Sequence, residues 1–179
     1  MARLIASAAL AGLPMTVGGV TLTAVERGPE TLVAALKGRE TASALRQLGL
    51  GFPRPNRFES AEGVAILWAG PGRALLVGAE PPEGLADGAT LTDQTGAQAV
   101  VLLTGTGIED VLARLVPVDL RAAAFPVGSL ALTLLGHMTA SLRRTEEGIE
   151  VAVMRSMGQT MVDEIVEAAR HVAARAALG

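Results

Sequence analysis

Short runs of apolar and β-branched residues, separated by glycine- and proline-containing turns, recur along most of the chain. Because 21 Gly and 9 Pro interrupt the 179 residues, the pattern favours many short strands over long helices. The predicted strands of the first half cover residues 17–26, 31–36, 64–68 and 74–77. Those of the second half cover residues 89–95, 98–104, 130–135, 139–144 and 149–154.

Three segments instead show the apolar spacing of helices, namely residues 40–48, 107–115 and 158–177. The apolar stripe of the last helix consists of Met161, Ile165, Ala169, Val172 and Ala176, with Val162 and Val166 alongside. The order of elements predicts two similar halves, about 17–80 and 89–179, each strand–strand–helix–strand–strand. We predict an N-terminal arm over residues 1–16 and a single α+β domain over residues 17–179, with antiparallel sheets covered by helices and a long C-terminal helix.

The first residues of the chain have some features of a secretory signal peptide, because Arg3 precedes an apolar stretch rich in small residues. That stretch is short, however, and it runs directly into a glycine-containing strand pattern. We therefore interpret residues 1–16 as the N-terminal arm of a cytoplasmic protein. No segment has the ~18 consecutive apolar residues that a membrane helix needs, so no membrane association is expected.

The charge and the residue types exclude several classes of function. A formal net charge of -3 argues against nucleic-acid binding, which needs a basic face. The chain has no cysteine for thiol chemistry, and its two histidines, His137 and His171, lack the spacing of metal ligands. Half of the residues are apolar although only 2% are aromatic. Burial against a partner chain and a genomic bias towards Ala and Arg both explain this surplus.

Two local patterns contain groups that bind ligands in other proteins. Asp93 and Thr95 precede a predicted buried strand, where such residues usually satisfy the backbone groups of a turn and less often contact a ligand. Gly105-Thr-Gly107 precedes a predicted helix and presents backbone N–H groups that suit an anion. A tight turn with Thr106 as the helix N-cap explains the second pattern equally well.

His137 lies between two predicted strands and, together with Ser141, raises the hypothesis of a hydrolase. An exposed turn histidine is the favoured interpretation, because the sequence has no nucleophile elbow around the serine. No catalytic, cofactor-binding or metal-binding residue is therefore predicted in this chain.

Four other residues are candidates for contacts with a partner protein. Arg143, Arg144 and Arg155 fall on or next to neighbouring predicted strands, where they suit acidic groups of a partner or form an ordinary solvated face. Trp68 is the only tryptophan and suits either a core position or an interface. We favour the core because Trp68 lies within a predicted strand.

Two stretches of the chain carry motifs that occur together in one protein family. Residues 68–77 form a Trp-x-Gly-Pro turn followed by an aliphatic strand. Residues 92–158 contain, in order, Asp-x-Thr, a strand ending in Gly105, a helix followed by Pro-Val-Asp-Leu120, then Phe-Pro-Val-Gly128 and Arg-Ser-Met157. In this order the motifs resemble those of the gamma subunit of heterotetrameric sarcosine oxidase and, more distantly, the folate-binding fold of the glycine-cleavage T-protein.

The resemblance implies a non-catalytic accessory subunit in a complex that oxidatively demethylates sarcosine to glycine. The alpha subunit is then the expected neighbour, with beta and delta subunits in the same complex. FAD, FMN, NAD and tetrahydrofolate are implied in those partner subunits and not in this chain. The alternative is a free-standing protein of the T-protein-like superfamily that binds folate or another small ligand. Against it, residues 136–142 contain no carboxylate, although the folate site of that superfamily depends on acidic residues.

Overall fold

The computed structural model of the chain describes residues 10–178. Its strands are β1 (Met15–Val17), β2 (Val20–Ala24), β3 (Glu30–Ala35), β4 (Phe58–Ala61), β5 (Val64–Gly70), β6 (Arg73–Val77), β7 (Ala89–Asp93), β8 (Gln98–Gly105), β9 (Leu130–Leu135), β10 (Met138–Arg144) and β11 (Ile149–Met154). Its α-helices are α1 (Ala42–Leu45), α2 (Leu85–Gly88), α3 (Ile108–Leu112) and α4 (Gly158–Ala176), and short 3-10 turns cover Arg46–Leu48 and Arg155–Met157.

The strands form two antiparallel sheets. The large sheet has the order β1-β2-β8-β11-β10-β9, and the small sheet has the order β4-β5-β6-β3-β7. With the long helix α4 at the C-terminal end, this architecture confirms the predicted α+β class. No helix within residues 10–178 combines the length and the hydropathy needed to cross a membrane.

Three apolar clusters define the layers. The largest lies between the large sheet and helices α3 and α4, and it includes Leu142, Val151 and Ile165. A second cluster packs the small sheet against α1 and α2. The third, around Leu67 and Leu130, lies between the two sheets. The order of layers is therefore helix, large sheet, small sheet, helix, which explains why the buried strands have apolar side chains on both faces.

The structure refines several predicted elements. The strand predicted at 17–26 is two strands, β1 and β2, because Gly18 and Gly19 form a turn at positive φ. Strand β4 was not predicted, because Phe-Glu-Ser-Ala has no clear apolar alternation. The helix predicted at 40–48 is one α-turn followed by a 3-10 turn, and that predicted at 107–115 is limited to α3. Residues 1–9 of the predicted N-terminal arm lie outside the described residues, and its last residues belong to β1.

Each half of the chain contributes strands to both sheets. From the first half, β1 and β2 join the large sheet, where β2 pairs with β8. From the second half, β7 joins the small sheet and pairs with β3. The consecutive strands β7 and β8 thus lie in different sheets, and the Asp93–Gln98 turn between them connects the sheets.

One glycine is required where β8 approaches the β1–β2 turn. Gly105 has a φ of +101°, and a Cβ atom there would lie 2.2 Å from the carbonyl oxygen of Gly19. The amide of Thr106 also donates a hydrogen bond to that carbonyl at 3.1 Å. Only a residue without a side chain allows the two backbones to come this close.

Candidate functional site

A cluster of buried charges connects the two sheets. Glu150 of β11 accepts two hydrogen bonds from Arg143 of β10, at 2.8 and 2.7 Å, and one from Arg27 at 2.9 Å. Arg27 also donates to the Oε1 atom of Gln98 at 3.2 Å, and it lies 3.6 Å from the carboxylate of Glu30, the first residue of β3. The side chains of Arg27 and Glu30 are each only 4% exposed. Two arginines and two glutamates therefore form a neutral unit between the sheets.

The two glutamates of this cluster have opposite electrostatic environments. Burial raises the pKa of Glu150, but the hydrogen bonds and charges of Arg143 and Arg27 outweigh it, so that the pKa lies below its usual range. Burial also raises the pKa of Glu30, and here it prevails over the attraction of Arg27. The geometry explains the difference, because the 3.6 Å separation from Arg27 is too long for a hydrogen bond and Glu30 Oε1 has no hydrogen-bond partner among residues 10–178.

A cleft of about 470 Å³ lies beside the cluster, and Arg27, Glu30, Thr95 and Gln98 are among its lining residues. The Nε atom of Arg27 and the Oε1 atom of Glu30 are buried, so the floor of the cleft does not expose these atoms to solvent. The cluster consists of charges that mainly satisfy one another. Its evident role is to fix the relative position of the two sheets.

Asp93 and Thr95 form the turn that connects the sheets. The Asp93 carboxylate accepts a hydrogen bond from the Thr95 amide at 2.8 Å, and this bond holds the pKa of Asp93 below its usual range. The Thr95 hydroxyl accepts one from the amide of Glu30 at 3.0 Å. The side chains therefore satisfy backbone groups, as the favoured interpretation of this pattern predicts.

The structure does not bring His137 and Ser141 together. His137 is exposed in the tight turn between β9 and β10, whereas Ser141 lies within β10, opposite Leu132. Four residues of extended strand separate them by about 13 Å, which is too far for a hydrogen bond. No group of three or more potential metal ligands comes together in the part of the chain that the structure describes.

The helix that follows Gly105-Thr-Gly107 is too short for an anion site. Helix α3 has five residues, and its N-cap is Gly107 in a left-handed conformation. The alternative with Thr106 as N-cap is wrong, because Gly107 occupies the N-cap position. The amide of Thr106 donates its hydrogen bond to the carbonyl oxygen of Gly19.

The predicted interface residues are mostly engaged within the chain. Arg143 binds Glu150, and Arg144 donates hydrogen bonds to Glu109 at 2.9 Å and to the carbonyl oxygen of Leu120. Arg155 is exposed at the end of β11. Trp68 is half-buried and packs against the apolar cluster around Leu67 and Leu130, which agrees with its assignment to the core.

An exposed apolar patch lies on the large sheet, on the face away from α4. We define the patch as Leu132 and Leu134 of β9 and Met154 of β11, which are 47%, 48% and 66% exposed. Its polar neighbours are Ser141, opposite Leu132, and Thr139, opposite Leu134. The only sequence signal for the patch is that residues 130–135 are apolar on both faces of a strand, which is unusual at a solvated sheet edge.

Comparisons with known proteins give one consistent result. No protein-family model matches the chain. The chain is 31% identical over 144 residues to "Sarcosine oxidase subunit gamma" of Arthrobacter sp, which covers 74% of this chain and 70% of the relative. It is 32% identical over 143 residues to the protein of the same name from Corynebacterium sp. (strain P-1), with the same coverage of both chains.

A solved structure of the same type of protein has a similar fold. The fold is similar to that of a chain in heterotetrameric sarcosine oxidase from Corynebacterium sp. U-96, a structure in complex with pyrrole 2-carboxylate. The TM-score is 0.75 at 25% sequence identity, and the similarity covers 89% of this chain and 88% of that chain.

Proposed function

The chain belongs to the sarcosine oxidase gamma subunit family, and from this premise we propose that it is a non-catalytic accessory subunit of a heterotetrameric sarcosine oxidase. The motif-based identification of the family is confirmed by the relatives. The partners of the chain are thus other subunits of such a complex, and we propose the alpha subunit as its direct neighbour. We place the complex in the cytoplasm.

The apolar patch on the large sheet carries the proposal of a docking role. Leu132, Leu134 and Met154 leave about half or more of their side-chain surface in water, and apolar surface of this kind marks interaction sites. An obligate subunit interface buries roughly 2,000 Å² or more, so the patch would be the centre of a wider contact. Its neighbours Ser141 and Thr139 are uncharged, which suits the core of an interface.

We assign the chemistry of the complex to the other subunits. FAD, FMN, NAD and tetrahydrofolate would be held there, since the buried charged groups of this chain are engaged mainly with one another between its own sheets. The role left to this chain is to stabilise the assembly.

Co-expression tests the proposal. The tagged chain, produced together with the remaining subunits of its complex, should elute with them in size-exclusion chromatography as one flavin-containing species that oxidises sarcosine. Elution of the chain alone at its own mass of 18.3 kDa, beside an active oxidase formed by the others, would contradict the accessory role.

The cleft beside Arg27 and Glu30 favours a second candidate function, the binding of a small ligand. At about 470 Å³ it falls within the size range of ligand pockets. Titration of the isolated chain with tetrahydrofolate in a calorimeter tests this function. Saturable binding at micromolar concentration would support it, and the absence of heat at millimolar ligand would exclude folate.

A further inference from the structure

The outer edge of the large sheet at β9 is held by other parts of the chain at its two ends. At the start of the strand, the Leu130 amide donates a hydrogen bond to the carbonyl oxygen of Asn56 at 2.9 Å. Just after its end, the Gly136 amide donates to the carbonyl oxygen of Leu115 at 2.8 Å. Both bonds point away from β10, the only strand within residues 10–178 that pairs with β9 in this sheet.

Between these two contacts the edge offers unpaired backbone groups. Peptide groups that face the same side of a strand recur at every second residue, so the N–H and C=O groups of Leu132 and Leu134 also point away from β10. Among the backbone hydrogen bonds of residues 10–178 outside the regular strands and helices, none involves these groups. An open row of this kind is a template on which another strand pairs.

The side chains along the open edge specify the chemistry of a matching strand. Leu132 and Leu134 project from the same face and are half exposed, so they suit apolar side chains at alternate positions. A pocket of about 460 Å³ adjoins the start of the edge, and Arg57 is the one charged residue in the described part of its lining. Among the described residues the Arg57 guanidinium has a hydrogen bond to the Ser129 hydroxyl and no ion pair with a carboxylate. A carboxylate on the incoming strand would complement it.

We propose that an extended segment of another subunit, about five residues long, adds to the large sheet along β9 as a seventh strand. Its length follows from the interval between Leu130 and Gly136, which spans roughly 20 Å of extended chain. The segment carries apolar side chains opposite Leu132 and Leu134 and an acidic residue near Arg57. This inference rests on the proposed function, because it describes how the accessory subunit binds its partner.

A second copy of the chain does not fit this edge. In a two-fold pairing of β9 with β9, the strands run antiparallel, and the Leu130 end of one copy lies beside the Gly136 end of the other. The segment around Asn56 of one copy and the segment around Leu115 of the other would then occupy the same position. A single strand between the two contacts meets no such obstacle.

Hydrogen exchange at single-residue resolution tests the pairing directly on the assembled complex. In the isolated chain the amides of Leu132 and Leu134 should exchange fast, and in the complex they should slow by at least tenfold. The amides of Ala131 and Thr133 are the internal control, since they already face β10 and should change much less. Equally fast exchange of Leu132 and Leu134 in both states would overturn the inference.

Variants separate backbone pairing from side-chain contact. Leu132→Pro removes an outward N–H without breaking a bond to β10, and it should weaken assembly at least tenfold, more than Leu132→Ala does. Arg57→Glu should weaken it as well, whereas Leu36→Ala, which truncates an exposed leucine next to the small sheet, should stay within twofold of wild type.

The outcomes distinguish this inference from the proposed function. Failure of the wild-type chain to assemble would refute the proposed function itself. Assembly of wild type and of Leu132→Pro with equal affinity would refute only the added strand. A wild-type homodimer that Leu132→Pro disrupts would show that the strand added along β9 comes from a second copy of this chain and not from another subunit. If Leu132→Pro does not fold, as judged by circular dichroism, the exchange of the Leu132 and Leu134 amides in the wild-type complex decides.

Discussion

The two buried glutamates between the sheets should respond very differently to neutralisation. Glu150→Gln removes the charge that accepts three hydrogen bonds from Arg143 and Arg27, at 2.7 to 2.9 Å. Both guanidinium groups then stay buried, with Glu30 at 3.6 Å from Arg27 as the nearest remaining carboxylate of the cluster. Breaking a buried ion pair in this way costs about 3–5 kcal/mol. For a domain of this size the midpoint of thermal unfolding should fall by on the order of 10 °C.

Glu30→Gln should change the free energy of unfolding at pH 7 by less than about 1 kcal/mol. Burial already disfavours the ionised form of Glu30 and raises its pKa, and within the described residues its Oε1 atom has no hydrogen bond to lose. Urea denaturation of the two variants beside wild type measures both values. A Glu30→Gln variant that is destabilised as strongly as Glu150→Gln would refute this account of the cluster.

The pH dependence gives the same test independently. A carboxyl group whose pKa is raised in the folded state destabilises the fold when it is ionised, and this penalty disappears as the pH falls through the raised pKa. Relative to Glu30→Gln, wild type should therefore gain stability between pH 7 and the usual glutamate pKa of 4.5. Glu150 has the opposite effect on stability, because its pKa is lowered in the folded state. Its contribution to the free energy of unfolding is therefore retained down to pH 4.5 and is lost as the pH falls further.

Two further pairs of variants test the packing. Gly105→Ala should cost more than about 2 kcal/mol, because its Cβ would lie 2.2 Å from the Gly19 carbonyl oxygen. Gly96→Ala, also at positive φ but with no atom of the described residues within 4 Å of its Cβ, should cost about 1 kcal/mol. Equal Tm values for the two variants would contradict the close approach. Leu142→Ala, in the fully buried core of the large sheet, should cost about 2–5 kcal/mol in urea denaturation, whereas the exposed Leu36→Ala should stay within about 0.5 kcal/mol.

Much of the secondary structure follows from local patterns in the sequence. The strands around the Gly136 turn and helix α4 are predicted almost to the residue, because their apolar periodicity is strong and glycines mark their ends. Which strands share a sheet does not follow from local patterns. The pairing of β2 with β8, and of β7 with β3, depends on contacts between residues 54 to 85 positions apart.

The candidate site was predictable only in part. The turn role of Asp93 and Thr95 follows from the known preferences of these residues, and the structure agrees. The interaction of Arg27 with Glu150, 123 residues away, has no local signal in the sequence. The apolar patch was missed for a related reason, since an apolar run such as residues 130–135 predicts a buried strand unless its position at a sheet edge is known.

Native mass spectrometry of the complex purified through a tag on this chain tests the accessory role most directly. The account predicts one copy of this 18.3 kDa chain together with three different subunits, in a particle that carries flavin and oxidises sarcosine. A monomer or a homo-oligomer of this chain, free of flavin while the other subunits assemble into an active oxidase without it, would contradict that role.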